Sequence, residues 1–349
     1  MDTAQLVVAG VDTHKDTHVV VALDHLGRQL GASTFPSTAG GCAALVDWLR
    51  HHGPLGRVGV EGCGSYGAGL ARLLRTEGIE VIEICRPNRQ MRRRRGKSDL
   101  IDAEAAARTV LAERDGVVPK SADGPVEAMR ALRVARSSAV KARDQATNQI
   151  HALIVTAPQA MRDHFNEPRI DRLVAQLLDA DAGEISDQPG YAAAVVSLAR
   201  RWQTLDTEAA DLAHQLKEIV TDTAPSGLLE LQGVGPDVAA ALMIAAGDNP
   251  NRLRSEASFA ALCGVSPLDC SSGKHDRHRL NRGGNRDANM ALWRIVMVRL
   301  RWDPTTRAYV DKRVSEGKTR RGAMRCLKRY IARDIYRLLT APDPVPIAT

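Results

Sequence analysis

The sequence predicts an α/β protein: a sheet-building N-terminal third, a long helical middle and a mainly α C-terminal lobe. Three observations carry this. Short β-branched runs alternate with helical patterns up to residue 84. Two long stretches between residues 125 and 221 keep apolar residues at helical spacing and almost exclude glycine and proline. Charge is segregated: within a net +7, Lys+Arg minus Asp+Glu is about +2 over residues 1–120, about −4 over 121–225 and about +9 over 226–349.

The elements follow in order. LVVAGVD (6–12) and THVVVALD (17–24) are β-branched runs around a polar turn and read as a hairpin, which QLGASTF (29–35) continues as a third strand. A helix is expected from 38 to 51, with Ala43, Leu45, Val46 and Leu49 on one side. RVGVE (57–61) is a short buried strand, 65–77 a helix, EVIEI (80–84) another strand, and an alanine-rich helix runs from Asp99 to Leu111. Three strands, helix, strand, helix, strand, helix is the ribonuclease-H-like (RuvC-like) order. Residues 126–157 and 190–221 are long helices, suggesting a helical hairpin or coiled-coil arm; core packing within one chain accounts for the same stripes. In LLELQGVGPDVAAALMIAAGD a glycine turn sits between two helical patterns and resembles a helix-hairpin-helix motif. Gly233 and Gly235 would there let backbone N–H groups hold phosphate. The expected division is 1–118 for the catalytic domain, 119–225 for the helical arm and 226–349 for the basic lobe.

Composition bounds the function. A chain of 349 residues suggests two or three domains, and 44% hydrophobic content is ample for their cores. No apolar run approaches the ~18 residues of a membrane span and no leader pattern opens the chain, so a cytoplasmic protein without a membrane partner is expected. The six cysteines (Cys42, Cys63, Cys85, Cys263, Cys270, Cys326) form no CxxC pair and read as reduced and mostly buried. The basic lobe is the electrostatic footprint of a nucleic-acid binder. With only 3% aromatic residues, its affinity must come from phosphate contacts rather than base stacking.

The chemistry concentrates in QMRRRRGKSDLIDAEAAAR, residues 90–108. Arg92, Arg93, Arg94 and Arg95, with Lys97 beyond them, repel one another unless a polyanion lies among them. Asp99 and Asp102 would repel that polyanion unless a cation sits between. Being three apart on a helix, they share a face. Asp12 closes the first strand and Glu61 the fourth, and in this fold those strands are neighbours. Four carboxylates at one sheet end suit Mg²⁺, which bridges carboxylates to phosphate and stabilises the oxygens of a reacting phosphodiester. Singly, each acid has an ordinary reading, such as Asp99 as a first-turn acid after Ser98.

VAGVDTHKDTHVVVALD, VGVEGCGSYG and RRRGKSDLIDAEAAAR resemble the RuvC-like DEDD domain of insertion-sequence transposases related to the pilin-gene invertase. LQGVGPDVAAALMIAAGD, FAALCGVSPLDCSSGKHDRHRLNRGGNRDANMALWRIVMVRLRWDP and TRAYVDKRVSEGKTRRGAMRCLKRYIARDIY are similar to the second domain of that family. The resemblance implies a site-specific DNA recombinase guided by a structured (bridge) RNA that pairs with target and donor DNA. It also implies a homo-oligomer, dimer or tetramer, and a nucleophilic serine. In PLDCSSG that serine falls on Ser272, with Ser271 beside it. Lys274, Arg277, Arg279, Arg282 and Arg286 would then clamp phosphate. On the tail helix, residues 319–339, Arg320, Arg321, Arg325, Lys328 and Arg329 would add backbone contacts. Two other readings keep the same motifs: a RuvC-like endonuclease or Holliday-junction resolvase with a structural Ser272, and a non-catalytic RNA- or DNA-binding protein.

Overall fold

The computed structural model describes residues 6–84, 98–112, 116–181, 185, 189–271, 273 and 278–341. The chain divides into two compact units where the sequence suggested three segments: Met1–Gly124 with Ala246–Ser255, and Pro125–Ala245 with Glu256–Thr349.

The first unit is built on a six-stranded sheet of order β3-β2-β1-β4-β5-β6. β1 (Val7–Thr13), β2 (Thr17–Leu23) and β3 (Gln29–Pro36) run antiparallel. β4 (Leu55–Glu61) pairs parallel with β1, and β5 (Glu80–Ile84) parallel with β4. This is the arrangement the element order predicted, an α/β sheet of ribonuclease-H-like order. The short β6 (Gly116–Val117), antiparallel to β5, was not expected; two residues carry no readable alternation. All seven residues of β1 are buried. It is the central strand, and its side chains serve two cores. Val7, Ala9 and Val11 pack with α1 (Ala39–His51) and α2 (Ala68–Thr76), where Leu45, Leu49, Leu70 and Leu74 are fully buried. Val8 shares the opposite core with Val21, Leu23 and the alanines of α3 (Asp99–Leu111).

The segment Ala246–Ser255 belongs to this unit although it lies far along the chain. Asn249 accounts for part of the attachment: its amide donates to the Pro119 carbonyl at 3.0 Å and its side-chain oxygen accepts from the Ser121 N–H at 3.0 Å. Arg252 adds bonds to the carbonyls of Ala246 and Val118.

In the second unit, α4 (Pro125–Thr156) and α7 (Pro189–Thr223) pack side by side. Cross-links fix them antiparallel: Trp202 Nε1 donates to Thr147 Oγ1 at 2.9 Å, Arg143 pairs with Asp206 at 2.7 Å, and the Tyr191 hydroxyl donates to the Leu153 carbonyl. The short helices α5 (Gln159–His164) and α6 (Ile170–Asp179) close one end over Ile150, Phe165, Leu173, Leu177 and Val195. Residues 226–231 form turns, not the helix that the hairpin motif required. Gly227 and Gly233 both take positive φ, which stops a helix from continuing. The buried α8 (Pro236–Ala246) follows, then α9 (Glu256–Leu262), a two-stranded ribbon of β7 (Leu268–Asp269) and β8 (His278–Arg279), α10 (Arg286–Trp302), α11 (Pro304–Ser315) and α12 (Arg320–Thr340).

Cys42, Cys63 and Cys263 are buried free thiols, Cys270 is exposed and Cys326 half-buried. Burial pushes Cys63 and Cys263 up to about 12, so neither is a nucleophile at neutral pH. Among the described residues no helix is long and apolar enough to cross a membrane.

Candidate metal centre and basic surface

Alternation along β1 sends Val8, Gly10 and Asp12 to the face covered by α3. Gly10 decides how closely that helix can approach. A Cβ there would lie 2.1 Å from the Ala107 nitrogen and 2.2 Å from the Ala103 carbonyl oxygen, so helix backbone rests directly on the strand. The small residues Ala103, Ala106 and Ala107 make the matching helix face. Two residues beyond Gly10, Asp12 therefore meets the first turn of α3, which carries Asp99 and Asp102. Ser98 caps that turn, its hydroxyl accepting from the Ile101 N–H at 3.3 Å.

Glu61 ends β4, whose Val60 is paired with Val11. Val58 and Val60 enter the α1/α2 core, so Gly59 and Glu61 face α3. A Cβ on Gly59 would fall 2.6 Å from Val110. Thr13 Oγ1 donates to the Glu61 carbonyl at 2.7 Å and ties the two strand ends together. The four expected acids thus belong to one face of the sheet. Asp12 and Asp102 are buried, at 7% and 5% exposure, and Asp99 is open to solvent.

Sequence reasoning passed over His14. Its Nε2 lies 3.2 Å from Asp12 Oδ2 and 3.3 Å from Asp99 Oδ1. Among the described residues, ligand atoms of Asp12, His14 and Asp99 all lie within 4.8 Å of one another; Glu61 and Asp102 share the face without joining that group. Burial raises the Asp12 carboxyl above its ordinary value; His14 opposes the shift, and the charges of Asp102 and Asp99 add to it. Carboxylate oxygens with one imidazole nitrogen form a donor set that fits a divalent cation. The signal for His14 was its place two residues after Asp12, on the same side of an extended chain.

Arg92, Arg93, Arg94, Arg95, Lys97, Ser272, Lys274 and Arg277 lie outside the described residues. The ribbon β7–β8 brackets the loop that contains Ser272. Its neighbour Ser271 serves the turn: the hydroxyl donates to Asp269 Oδ1 at 2.5 Å, and the N–H of Ser271 reaches the same oxygen at 2.9 Å. These bonds hold the Asp269 carboxyl below its ordinary value. Arg279, Arg282 and Arg286 are exposed. Gly284 approaches the protein's own chain, since a Cβ would meet the Gly264 nitrogen at 2.2 Å.

On α12, Arg320, Arg321 and Arg325 are exposed, and none has an ion-pair partner among the described residues. Arg329 is half-buried and 3.6 Å from Glu256. Lys328 corrects the expectation of a backbone contact. It is 6% exposed, and its Nζ donates to Asn289 Oδ1 at 2.6 Å beside the Trp293 ring. Desolvation lowers this amine to about 8.

Gly233 is likewise held by packing. A Cβ would lie 3.2 Å from Ile295 Cα and backbone oxygen, so the turn leans on α10. Gly235, just before α8, is exposed with open space where a side chain would be. Beside it stands a cluster the sequence did not suggest. Asp237 receives Arg133 at 3.1 Å, Arg136 at 3.2 Å and Arg294 at 2.8 Å, uniting α4, α8 and α10.

Comparison with known proteins adds lineage to this geometry. Residues 9–157 match a DEDD-type family model described as a transposase, and residues 226–311 match one described as the transposase IS116/IS110/IS902 family. The chain is similar to the transposase for insertion sequence element IS1328 of Yersinia enterocolitica, 29% identical over 213 residues, 59% of this chain and 60% of that protein. It is similar also to the insertion element IS110 uncharacterized 43.6 kDa protein of Streptomyces coelicolor, 25% identical over 49% of this chain and 44% of that one. A third relative is the insertion element IS900 uncharacterized 42 kDa protein of Mycobacterium paratuberculosis, 28% identical over 46% of this chain and 41% of its own length. These matches span about half the length of the relatives.

Proposed function

Because the chain belongs to the IS110 family of insertion-sequence transposases, we propose that it cuts and rejoins DNA as an RNA-guided, site-specific recombinase. The observation that carries this reading is the meeting of Asp12 with the first turn of α3 on one face of the sheet. Asp12, Glu61, Asp99 and Asp102 would hold Mg²⁺ there, with His14 beside them. Bound at this site, the cation supplies positive charge to the oxygens of a scissile phosphodiester.

The remaining duties fall to the chain itself. Rigid strand ends hold Asp12 and Glu61, and the glycine–alanine contact holds α3, so the carboxylates need little reorganisation before reaction. Arg92, Arg93, Arg94, Arg95 and Lys97, immediately before α3 in sequence, carry the DNA backbone toward those acids. Ser272 provides the nucleophile: its Oγ–P bond forms as the bond to the departing sugar oxygen breaks, and that oxygen ends protonated. The phosphoserine link conserves bond energy for rejoining. Ser271 is left to the turn, its hydroxyl already committed to Asp269. Arg279, Arg282 and Arg286 neutralise phosphate near the ribbon. Arg320, Arg321 and Arg325 offer an exposed basic edge to guide RNA or to donor and target DNA. A homo-oligomer, dimer or tetramer, would hold the strands to be exchanged.

The test is incubation with the element's own RNA and end-junction DNA in Mg²⁺, followed by denaturing electrophoresis. A protein–DNA adduct that disappears in both Ser272→Ala and Asp12→Asn is the expected result. Cleavage that persists in Ser272→Ala without any adduct would instead identify a RuvC-like nuclease.

A further inference from the structure

The four acids expected from the sequence are all oxygen donors, yet the donor atoms that gather within 4.8 Å of one another at their sheet end include a nitrogen. His14 Nε2 stands 3.2 Å from Asp12 Oδ2 and 3.3 Å from Asp99 Oδ1. Adjacent ligands on an octahedral ion, each at about 2.1 Å from it, lie about 3 Å apart, so these separations, which also suit hydrogen bonds, match neighbouring ligand atoms around one cation. The backbone that carries the imidazole is fixed as well. The His14 backbone N–H donates to the Thr17 carbonyl at 2.9 Å and closes the β1–β2 turn, while the Thr13 hydroxyl anchors the preceding residue to β4. Asp12 is buried and Asp99 exposed, so the nitrogen sits where the site opens to solvent, on the side from which a cation enters.

We infer that His14 is a ligand of the cation held by Asp12 and Asp99, making this a mixed oxygen–nitrogen site that favours Mn²⁺ over Mg²⁺. The inference rests on the metal-site reading above and adds the identity of a ligand and a metal preference to it. Carboxylate and water suit Mg²⁺ and Mn²⁺ alike, whereas imidazole contributes more to the transition ion. The competing account is a plain ion pair, in which a protonated His14 bridges two carboxylates and leaves when a metal arrives.

Mn²⁺ alone is the probe, added to the full-length protein without nucleic acid. Electron spin-echo spectra of the bound ion are expected to show nitrogen modulation that vanishes in His14→Ala. In that variant Mn²⁺ affinity, measured by titration calorimetry, should fall about tenfold or more, as befits a direct ligand when even outer-shell partners cost about that much. Mg²⁺ affinity should fall less, narrowing the Mn²⁺/Mg²⁺ ratio. Retained binding in the variant would show that it is folded. Asp12→Asn separates the two ideas. Mn²⁺ that binds to the wild type in an Asp12-dependent way but without nitrogen modulation, and with an unchanged ratio in His14→Ala, overturns the role of His14 and leaves the acid site standing. Mn²⁺ that does not bind at all, or binds equally to Asp12→Asn, overturns both.

Discussion

Asp12 is 7% exposed and sits where it does because Gly10 lets α3 lie on β1, whereas Arg320, Arg321 and Arg325 stand exposed on α12. Asp12 and Asp102 are buried, on a strand and a helix that meet backbone to backbone at Gly10. The exposed arginines are numerous, solvated and free to follow a polyanion. Each arrangement suits its task. A cation site needs fixed oxygens, while a phosphate backbone needs only charge at roughly the right height. Losing one element of the first should therefore be costly, and losing one element of the second nearly silent for stability.

The largest effect is expected at Gly10. Gly10→Val puts side-chain carbon where the Ala107 nitrogen and Ala103 oxygen already are, and should destabilise the first unit by about 3 kcal/mol or more. Chemical denaturation reads the loss, and Asp12-dependent Mn²⁺ binding should vanish with it. A tolerated valine would mean that the close strand–helix contact does not position the acids.

Lys328, on the same helix as the exposed arginines, should behave like the acids rather than like its neighbours. Its folded-state value of about 8 lies below the ordinary 10.5, so between those pH values the unfolded chain binds the extra proton. Stability should then rise with pH across that window, by at most about 1.4 kcal/mol per pH unit from this group. Below about pH 8 both states are charged and the burial cost is present in full. Lys328→Met is expected to remove that alkaline rise when its stability–pH curve is subtracted from the wild-type curve.

Asp12→Asn should separate function from stability. Burial and neighbouring acids raise the folded-state carboxyl, so in metal-free protein its charge costs stability once pH exceeds its ordinary value. The variant is expected to lose metal binding and the DNA adduct while gaining stability in metal-free thermal unfolding. A clear loss of stability would show that the carboxylate has a structural role.

The smallest stability effect belongs to the basic edge. Arg320→Ala with Arg321→Ala should change folding by no more than about 0.5 kcal/mol. Nucleic-acid affinity should weaken, and the slope of log affinity against log salt should fall by about one per arginine engaged. An unaltered slope would remove this edge from the interface.

Much of the scaffold was legible because periodicity is local. The three antiparallel strands, α1, α3, α4, α7 and α12 follow directly from alternation or helical spacing. So does the pairing of Asp12 and Glu61 with adjacent strand ends, given the order of elements. What local pattern did not reveal was decided by neighbours remote in sequence. The glycine turn at 233, expected to grip phosphate, packs closely against Ile295. Lys328 looked like one more cation, although Met324 and Ala332 four residues to either side are buried on the same helix stripe. His14 was passed over because one histidine carries no pattern of its own.

The amino-acid order alone determined most of the longer elements, the acids at the strand ends and helix start, and the segregation of positive charge toward the C-terminal lobe. Local propensity, side-chain periodicity and formal charge are properties of the chain itself. The tertiary structure decided how near the carboxylates come to one another, that an imidazole joins them, that Lys328 turns inward, and that Asp237 gathers three arginines. Those outcomes depend on packing distances between residues far apart in sequence, which no local pattern encodes.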